Sequence, residues 1–266
     1  MTNERLAAYL DQLRGNALAD DLWIDNDDAV VARFLGTRLT SVFQTLHRLD
    51  DSAPVAAQAL VRIPTGAHDT GLSPWNLFAR AALPEQLVAL DRRCRLVHAL
   101  NFFGGAESQL DLYLCVHDRL LAAVADNHGQ TFRRILDSLG IAHRRIVIEL
   151  PSEASAGAAR SSNVIAYYRL NGFRVAINPD GPAQLAAARS GTLPDVVKLD
   201  APVWQTAWSD DRTIDLLAGF RDAGSEIVFK RVDSPEQLQQ ARRAGAVSAQ
   251  GYLFSRPLPA RDLVYQ

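Results

Sequence analysis

Short apolar runs alternate with longer helical patterns along most of this chain, and this order restricts its fold more than any other feature. Runs rich in β-branched and apolar residues predict strands, and apolar residues at helical spacing predict the segments between them. The predicted strands are 55–61, 112–116, 146–150, 175–177, 196–199, 226–229 and 249–252. The predicted helices are 84–101, 130–139, 154–170, 182–189, 204–223 and 234–244. Strands separated by helices favour parallel pairing through helical crossovers, so the sequence predicts an α/β fold of the TIM-like (β/α)8 barrel type.

The first forty residues have a different character. Helical patterns at 4–13 and 29–40 flank the acidic segment DDLWIDNDD, which contains Trp23. These patterns predict a short helical N-terminal extension, residues 1–40, before a barrel domain of residues 41–266. The extension is interpreted as a cover over the side or bottom of the barrel, and the alternative is a segment that binds a protein partner.

Composition excludes several classes of function. The net charge of −2 and the pI of about 6.3 provide no broad basic field, so binding to nucleic acid or to an anionic membrane surface is not expected. Cys94 and Cys115 are too few for a disulfide framework or a cysteine-based zinc site, which is typical of a reducing compartment. The N-terminal residues do not resemble a signal peptide, and no run approaches the length of a membrane span. The sequence therefore predicts a cytoplasmic protein.

The ends of the predicted strands contain few acids. In a parallel barrel, catalytic side chains lie at the carboxyl ends of the strands. Those ends hold Gln58, Arg62, Cys115, Glu149, Asn178, Lys198, Asp200, Lys230 and Gln250. Metal-assisted cleavage of a phosphodiester needs several carboxylates around Mg²⁺ or Mn²⁺. Because only Glu149 and Asp200 are acids, the sequence predicts that no metal pair is held there.

Seven segments, in order along residues 41–263, carry a resemblance to a known family. They are VFQTLHRLDDSAPVAAQALVR, LYLCVHDRLL, IELPSEA, GFRVAINPDGP, VVKLD, IVFKRVD and AQGYLFSRPLP. The chain is similar in these segments to EAL domains, a bacterial family whose active members hydrolyse cyclic di-GMP with two divalent metal ions. The resemblance implies the EAL type of TIM-like barrel and a role in signal transduction.

Several catalytic positions of the family carry other residues in this chain. By the resemblance, Gln58 stands at the glutamate of Glu-Ala-Leu, Cys115 at a metal-binding asparagine, and Lys230 at the glutamate of AEGVE. Asn178 and Pro179 stand at a pair of aspartates. The resemblance therefore implies a degenerate site in which no catalytic residue is functional and neither Mg²⁺ nor Mn²⁺ is a cofactor.

Other positions match the family. Glu149 corresponds to a metal-site glutamate and Lys198 to the active-site lysine. The positions that correspond to contacts with cyclic di-GMP are Gln44, Arg62, Asp91 and Gln250. A cationic pocket with these residues could bind the dinucleotide without cutting it.

These observations predict a catalytically inactive, EAL-like regulatory protein that acts through a protein partner, with or without cyclic di-GMP as its effector. The chain has no fused output domain in this interpretation, so a partner must transmit its state. A homodimer is compatible with the resemblance. The first alternative is a stand-alone cyclic di-GMP receptor that uses Gln44, Arg62, Asp91 and Gln250. The second is a cyclic di-GMP-specific phosphodiesterase with residual metal-dependent activity through Glu149, Asp200 and Lys198.

Overall fold

Eight strands close into a barrel in the computed structural model, which describes residues 2–15, 19–64, 74–104, 109–119, 129–151, 158–205 and 211–263. Two further strands extend one side of it. In chain order the strands are β1 Leu22–Ile24, β2 Val30–Phe34, β3 Thr37–Arg48, β4 Pro54–Arg62, β5 Asp111–Cys115, β6 Ile146–Glu149, β7 Arg174–Ile177, β8 Val196–Asp200, β9 Glu226–Lys230 and β10 Ser248–Ala249. Strands β3 to β10 form the closed barrel, because β3 pairs with both β4 and β10.

The barrel is mixed rather than wholly parallel. Neighbouring strands from β4 to β10 pair in parallel, whereas β3 runs antiparallel to both of its neighbours. The predicted α/β barrel is therefore confirmed, and β3 is the eighth strand that the sequence pattern did not reveal. In the β3–β4 register Gln44 lies opposite Gln58, so both lie at one level of the barrel wall.

Helices cover the outside of the barrel. Their bounds are α1 Thr2–Gln12, α2 Pro74–Arg80, α3 Pro84–Phe103, α4 Gln130–Ser138, α5 Ala158–Leu170, α6 Pro182–Arg189, α7 Ala201–Trp204, α8 Asp211–Asp222 and α9 Pro235–Arg243. Helix α9 begins with a capping box, in which Ser234 accepts from the backbone of Gln237 and Gln237 accepts from the backbone of Ser234. Among the residues that the structure describes, no helix combines the length and apolar character needed to cross a bilayer.

The predicted helix over residues 29–40 is wrong, because this segment forms a β-hairpin. Strands β2 and β3 pair antiparallel across a two-residue loop, Leu35–Gly36, whose φ angles are 46° and 75°. Positive φ at both loop positions is what a tight hairpin requires. Apolar residues four positions apart, such as Val30 and Phe34, have the spacing of one helical face. In the structure both are buried residues of strand β2.

The remainder of the N-terminal extension is closer to the prediction. Helix α1 confirms the helical pattern at 4–13, and its Leu6 and Tyr9 are buried in the main core. Hydrogen bonds of 2.7 and 2.9 Å join the backbone of Val30 to the side chain of Asn101 on α3 and hold the hairpin against the barrel. Strand β3 passes through residue 40 without a break, and the division of the chain at that residue stays a prediction.

Two predicted helices extend over residues outside the described part, and one predicted strand is shorter than expected. In the predicted helix 204–223, Asp211–Asp222 is α8 and residues 206–210 are outside the described part, whereas α7 ends at Trp204. Residues 154–157 of the predicted helix 154–170 lie outside the described part too. The predicted strand 249–252 ends at Ala249. The chain then stays close to Val232, so a Cβ atom on Gly251 would lie 2.1 Å from the carbonyl oxygen of Val232.

The core has two parts. Seven small or apolar side chains fill the lower interior of the barrel, namely Leu46, Ala56, Tyr113, Val147, Ala176, Val196 and Val228. A larger cluster packs the outer faces of the strands against the helices. Because the lower interior is filled by apolar groups, polar side chains that point into the barrel meet only in its upper part, at the strand ends.

Candidate functional site

The polar side chains predicted at the strand ends lie together in the mouth of the barrel. Those in direct hydrogen-bond contact with one another are Gln58 on β4, Cys115 on β5, Glu149 on β6 and Lys198 on β8. The strand register places Cys115 beside Glu149. Parallel strands that end at the same level explain how residues up to 140 positions apart in the chain come into contact.

Lys198 is the centre of this contact network. Its Nζ donates to Oε2 of Glu149 at 2.8 Å and to Oε1 of Gln58 at 3.0 Å. The lysine is 0% exposed, and the ring of Tyr113 lies 5.1 Å from its ammonium group. A buried ammonium is tolerated only with a paired charge and further acceptors, which Glu149 and Gln58 supply.

Gln58 is held in one orientation by its neighbours. Because Lys198 can only donate, the amide oxygen of Gln58 faces it, and Nε2 of Gln58 donates to Oε2 of Glu149 at 3.1 Å and to Sγ of Cys115 at 2.9 Å. The carboxylate oxygen Oε2 of Glu149 thus accepts from two residues at once.

The pKa values of Glu149 and Cys115, both neighbours of Gln58, are shifted in opposite directions. Burial alone would raise the pKa of Glu149, but the ammonium groups of Lys198 and Lys230 outweigh it and lower the pKa of this carboxyl group. Desolvation of the sulfur, together with the negative charge of Glu149, raises the pKa of Cys115 to about 12. Part of Cys115 is exposed to solvent, yet its thiol stays protonated near neutral pH.

A second contact lies on the other side of the mouth. Nζ of Lys230 donates to Oδ1 of Asn178 at 2.8 Å, and Nδ2 of Asn178 donates to the carbonyl oxygen of Leu150 at 2.8 Å. The carbonyl of Pro179, the next residue, accepts from Nε1 of Trp204 at 3.0 Å. Hydrogen bonds therefore hold both Asn178 and Pro179 in place after β7, and Asn178 in turn positions the ammonium of Lys230.

Gln44 and Gln250 form a third contact. Nε2 of Gln250 donates to Oε1 of Gln44 at 2.9 Å, and Nε2 of Gln44 donates to the carbonyl oxygen of Ser255 at 2.8 Å. Both glutamines line a cavity of about 180 Å³. Its other lining residues are Gln58, Lys230, Arg231, Asp233, Gly251 and Tyr252. This cavity is the space that a ligand of the mouth would enter.

Arg231 is a site residue that the strand-end analysis did not single out. It has φ of 57°, in the left-handed region, and its Nε donates to Oδ1 of Asp200 at 2.9 Å. Asp200 is thus paired with a guanidinium of the neighbouring strand end. The available sequence signal was the AEGVE resemblance, in which Arg231 follows Lys230 at the position of the glycine.

Two predicted ligand contacts lie apart from this cavity. Arg62 is the last residue of β4, exposed, and on the same strand face as Gln58 by the two-residue period of a strand. Asp91 lies on α3, where it is 2% exposed and forms a buried ion pair with Arg95, which also donates to the hydroxyl of Tyr168. Neither residue lines the cavity that Gln44 and Gln250 share.

Potential metal ligands are sparse in the described part of the chain. Within those residues no group of three or more histidine, cysteine, aspartate or glutamate side chains is arranged to hold a metal ion. The carboxylates nearest the mouth, Glu149 and Asp200, are each paired with a basic side chain. The arrangement instead provides ammonium donors and amide groups, which suit an anionic ligand.

Comparison with known proteins identifies the fold family. The family model described as the EAL domain matches residues 28–257. Curated protein sequences give no match. Many solved structures share the fold.

Three of these structures come from different bacteria. The Bacillus subtilis YkuI protein, in complex with substrate c-di-GMP and calcium, has a TM-score of 0.68 and 22% identity over 83% of this chain. The match spans 56% of the length of YkuI. The FimX EAL domain from Pseudomonas aeruginosa, bound to c-di-GMP, has a TM-score of 0.67 and 19% identity over 86% of this chain and 94% of its own. A standalone EAL protein from Vibrio cholerae O395 in its c-di-GMP bound form has a TM-score of 0.69 and 18% identity over 85% of this chain and 94% of its own. At these identities the structures establish the fold, and together with the family match they show that this chain belongs to the EAL domain family.

Proposed function

We propose that this chain is a catalytically inactive EAL domain that regulates a process through a protein partner, with cyclic di-GMP as its effector. The observation that carries the proposal is the position of Lys230. Its Nζ lies 2.8 Å from Oδ1 of Asn178, so an ammonium group bonds to one side chain that replaces a metal ligand of the family and itself replaces another, by the resemblance.

The donor set in the mouth does not fit a pair of Mg²⁺ or Mn²⁺ ions. Such hard cations prefer several carboxylate oxygens and waters. Here the side chains at the metal positions implied by the resemblance include Glu149 together with Gln58, Cys115, Asn178 and Lys230. The amide oxygens of Gln58 and Asn178 each already accept from an ammonium group, and the thiol of Cys115 has a pKa of about 12. Only Glu149 remains as an anionic donor of this set.

The charge of Lys230 adds to this mismatch. A dication about 4 Å from its ammonium would be repelled by roughly 8 kcal/mol at an effective dielectric constant of about 20. Without a bound metal, the attacking water of phosphodiester hydrolysis keeps its high pKa and the phosphate keeps its full charge, so cleavage is not supported.

A hydrolysis assay tests the inactivity. The purified chain is incubated with cyclic di-GMP in Mg²⁺ and separately in Mn²⁺, and the linear dinucleotide pGpG is quantified against an active EAL domain. We expect no pGpG above the level of a buffer blank. Metal-dependent release of pGpG that is abolished by Glu149→Gln would establish the alternative, a cyclic di-GMP-specific phosphodiesterase with residual activity.

Several polar groups support cyclic di-GMP as a ligand. YkuI, the FimX EAL domain and the Vibrio protein are described with c-di-GMP bound. In this chain Gln44, Gln250 and Lys230 line one cavity, and Arg62 ends the adjacent strand. Calorimetric titration with cyclic di-GMP, once in Mg²⁺ and once in EDTA, measures binding. Equal affinity in the two buffers is expected, and no heat in either would remove cyclic di-GMP from the proposal.

A surface beside the cavity supports the partner. Tyr252 and Leu253 follow Gly251 directly, and their side chains are exposed by 59% and 38%. Because Tyr252 also lines the cavity, a ligand there would contact the surface that a partner meets. Interfaces are enriched in exposed aromatic residues of this kind.

Co-purification tests the partner. The full chain is used as bait, and a partner that co-elutes in constant ratio on gel filtration is expected to be lost with Tyr252→Ser and retained with Leu170→Ser. Leu170 is also exposed, but it lies at the end of α5, away from the cavity. A partner that both variants retain would place the interface elsewhere, and light scattering of the same samples tests the predicted homodimer.

A further inference from the structure

The first helix and the first strand lie outside the part of the chain that matches the EAL domain family. The family match begins at residue 28, whereas α1 spans Thr2–Gln12 and β1 spans Leu22–Ile24. Helix α1 packs on the core, and β1 extends the sheet by pairing with β2. None of the residues of α1 or β1 lines the cavity in the barrel mouth. These two elements therefore call for an explanation other than the ligand of the mouth.

Strand β1 has an open edge. Among the described residues it pairs with β2 on one side and with no strand on the other. The N–H of Asp25, directly after β1, donates to the carbonyl of Ala29 beside β2. Every second residue of an antiparallel strand bonds to its neighbour, so Trp23 also directs its backbone groups to β2, whereas Leu22 and Ile24 direct theirs away from it. The open edge thus consists of the N–H and carbonyl of Ile24 and the carbonyl of Leu22.

A groove lies between α1 and β1. Its volume is about 440 Å³, within the roughly 300–1,000 Å³ of pockets that hold ligands. Its apolar lining residues are Ala7, Leu10, Leu13, Ala19, Leu22 and Ile24. Because Leu22 and Ile24 also carry the backbone groups of the open edge, a strand added at this edge would direct alternate side chains into the groove. Backbone pairing at an edge, together with pockets for alternate side chains, is how peptides are recognised by strand addition.

The charges around the groove favour a basic strand. Residues 1–28 contain seven acids and two arginines. Asp11 and Asp20 line the groove together with one basic residue, Arg14, which is already paired with Asp11 at 2.8 Å. Asp20 is exposed and has no ion pair within the part of the chain that the structure describes. Its carboxylate would attract a lysine or arginine of an added strand and repel an acid.

The same charges disfavour a second copy of this chain at the open edge. One antiparallel register pairs all three residues of β1 with all three residues of a second β1, and it sets Trp23 opposite Trp23 of the second copy. This register would place Asp21 of each copy opposite Asp25 of the other. Like charges directly opposite each other on neighbouring strands are destabilising. A strand of different sequence is therefore the better occupant.

We propose that the open edge of β1 and the groove beside it bind an extended segment of another protein as an additional β-strand. The segment has apolar side chains at alternate positions, which enter the groove, and a lysine or arginine that meets Asp20. The inference goes beyond the proposed function, because it does not depend on cyclic di-GMP and uses a surface other than that of Tyr252.

Selection from a peptide library tests the chemistry of the segment. The probe is a display library of short peptides that have valine or leucine at alternate positions and random residues between them. It is selected on the full chain, and the enriched peptides are synthesised and titrated by fluorescence anisotropy. We expect lysine and arginine to be enriched over aspartate and glutamate at the random positions. Enrichment of acidic peptides, or no enrichment, would overturn the inference.

The amide of Ile24 reports whether a selected peptide occupies the open edge. Full chain labelled with ¹⁵N-isoleucine is followed by NMR, and the signal is assigned by its loss in Ile24→Val. The amide should exchange quickly with solvent in the dilute free chain and at least several-fold more slowly with the peptide bound. An amide that is already protected in the dilute free chain, or one that the peptide leaves unprotected, contradicts the site. Protection that rises with protein concentration alone would assign the edge to a second copy and overturn the choice of occupant.

Two N-methylated forms of the selected peptide test strand addition itself. In one form the even-numbered amides are methylated, and in the other the odd-numbered amides. Only one of these sets faces β1 in an added strand, so one form should bind like the parent peptide and the other should lose binding. Equal affinity of the two forms would show that the peptide does not bind as a strand.

A charge-reversing variant tests the role of Asp20. Asp20→Lys should weaken binding of the selected basic peptide by about three- to tenfold, because it replaces the attraction of a surface ion pair by repulsion. Asp215→Lys makes the same change at another exposed position, on α8, and should leave the affinity unchanged. Equal affinities of the two variants would remove Asp20 from the site and with it the preference for a basic segment.

Discussion

The ammonium of Lys198 lies 2.8 Å from Oε2 of Glu149, and the two side chains are 0% and 5% exposed. This ion pair joins β8 to β6 across the barrel mouth, directly above the apolar interior. Gln58 bonds to both members and so makes the pair part of a larger network. The pair therefore has consequences for stability as well as for ligands, because neither charge can reach water when the other is removed.

Loss of the lysine should destabilise the fold strongly. We expect Lys198→Met to lower the free energy of unfolding by about 3–5 kcal/mol, because it leaves the carboxylate of Glu149 buried without its partner. Urea unfolding followed by circular dichroism at pH 7 measures the change. Adding Glu149→Gln to Lys198→Met should recover part of the loss, whereas a double variant with the full sum of the two single effects would show that the residues act independently.

Acid should weaken the fold through Glu149. Burial opposes ionisation, but Lys198 and Lys230 lower the pKa of Glu149 in the folded state below its unfolded value. The ionised group therefore stabilises the fold above the unfolded pKa of about 4.3, and this contribution is lost as the pH falls through the lower folded pKa. Glu149→Gln should reduce the loss of stability below about pH 4, the ordinary range of a glutamate. Unfolding curves at pH 7 and pH 3 test it, with the exposed Glu85→Gln as the control.

His98 should produce a second pH effect at higher pH. It is buried on α3, where its Nδ1 lies 2.7 Å from Oγ of Ser41. Burial lowers its pKa to about 3. Below the unfolded pKa of about 6.5 the unfolded chain binds a proton that the folded chain does not bind. The free energy of unfolding therefore falls by up to about 1.4 kcal/mol per pH unit until about pH 3. His98→Gln should flatten the stability curve between pH 6.5 and 4. Replacing the partly exposed His143 by Gln is the comparison, and identical slopes for the two variants would argue against His98 as the source.

Local patterns in the sequence were sufficient for the parallel part of the barrel. Strands β4 to β9 each overlap a predicted strand, since they combine short length with buried β-branched residues. Strand β3 was missed for two reasons. Its first residues were included in the predicted helix 29–40, and one of its partner strands, β10, is distant in the sequence. The strand-end residues Gln58, Glu149 and Lys198 were identified, and the ion pair of Lys198 with Glu149 agrees with the interpretation of these charges as a barrel-core salt bridge, but the contacts of Gln58 with both were not foreseen. The bond from Lys198 to Gln58 joins residues 140 positions apart, and it depends on strand register that no local pattern contains.

Gly251 should tolerate no side chain. A Cβ atom at this position would lie 2.1 Å from the carbonyl oxygen of Val232 and 2.4 Å from its nitrogen, both of them backbone atoms. Because the same segment carries the hydrogen bond from Val232 to Gln250, Gly251→Ala must shift the backbone that positions Gln250. We expect a loss of about 1–3 kcal/mol, the usual cost of overpacking. Gly181→Ala, where the added atom meets open space, is the matched control in thermal unfolding, and equal melting temperatures would contradict the close approach.

Arg231 has two opposed effects on stability that substitution can separate. Its φ of 57° is costly for a residue with a Cβ atom, by about 1 kcal/mol relative to glycine. Its guanidinium bonds to Asp200, but the side chain of Arg231 is 56% exposed. Such surface ion pairs contribute only about 0–1 kcal/mol. Arg231→Ala loses the pair and keeps the strain, whereas Arg231→Gly loses the pair and relieves the strain. Chemical denaturation should therefore find the glycine variant more stable than the alanine variant by about 1 kcal/mol, although glycine also increases the freedom of the unfolded chain. If the alanine variant is the more stable of the two, the strain at residue 231 is smaller than the gain in freedom of the unfolded chain, and the prediction is contradicted.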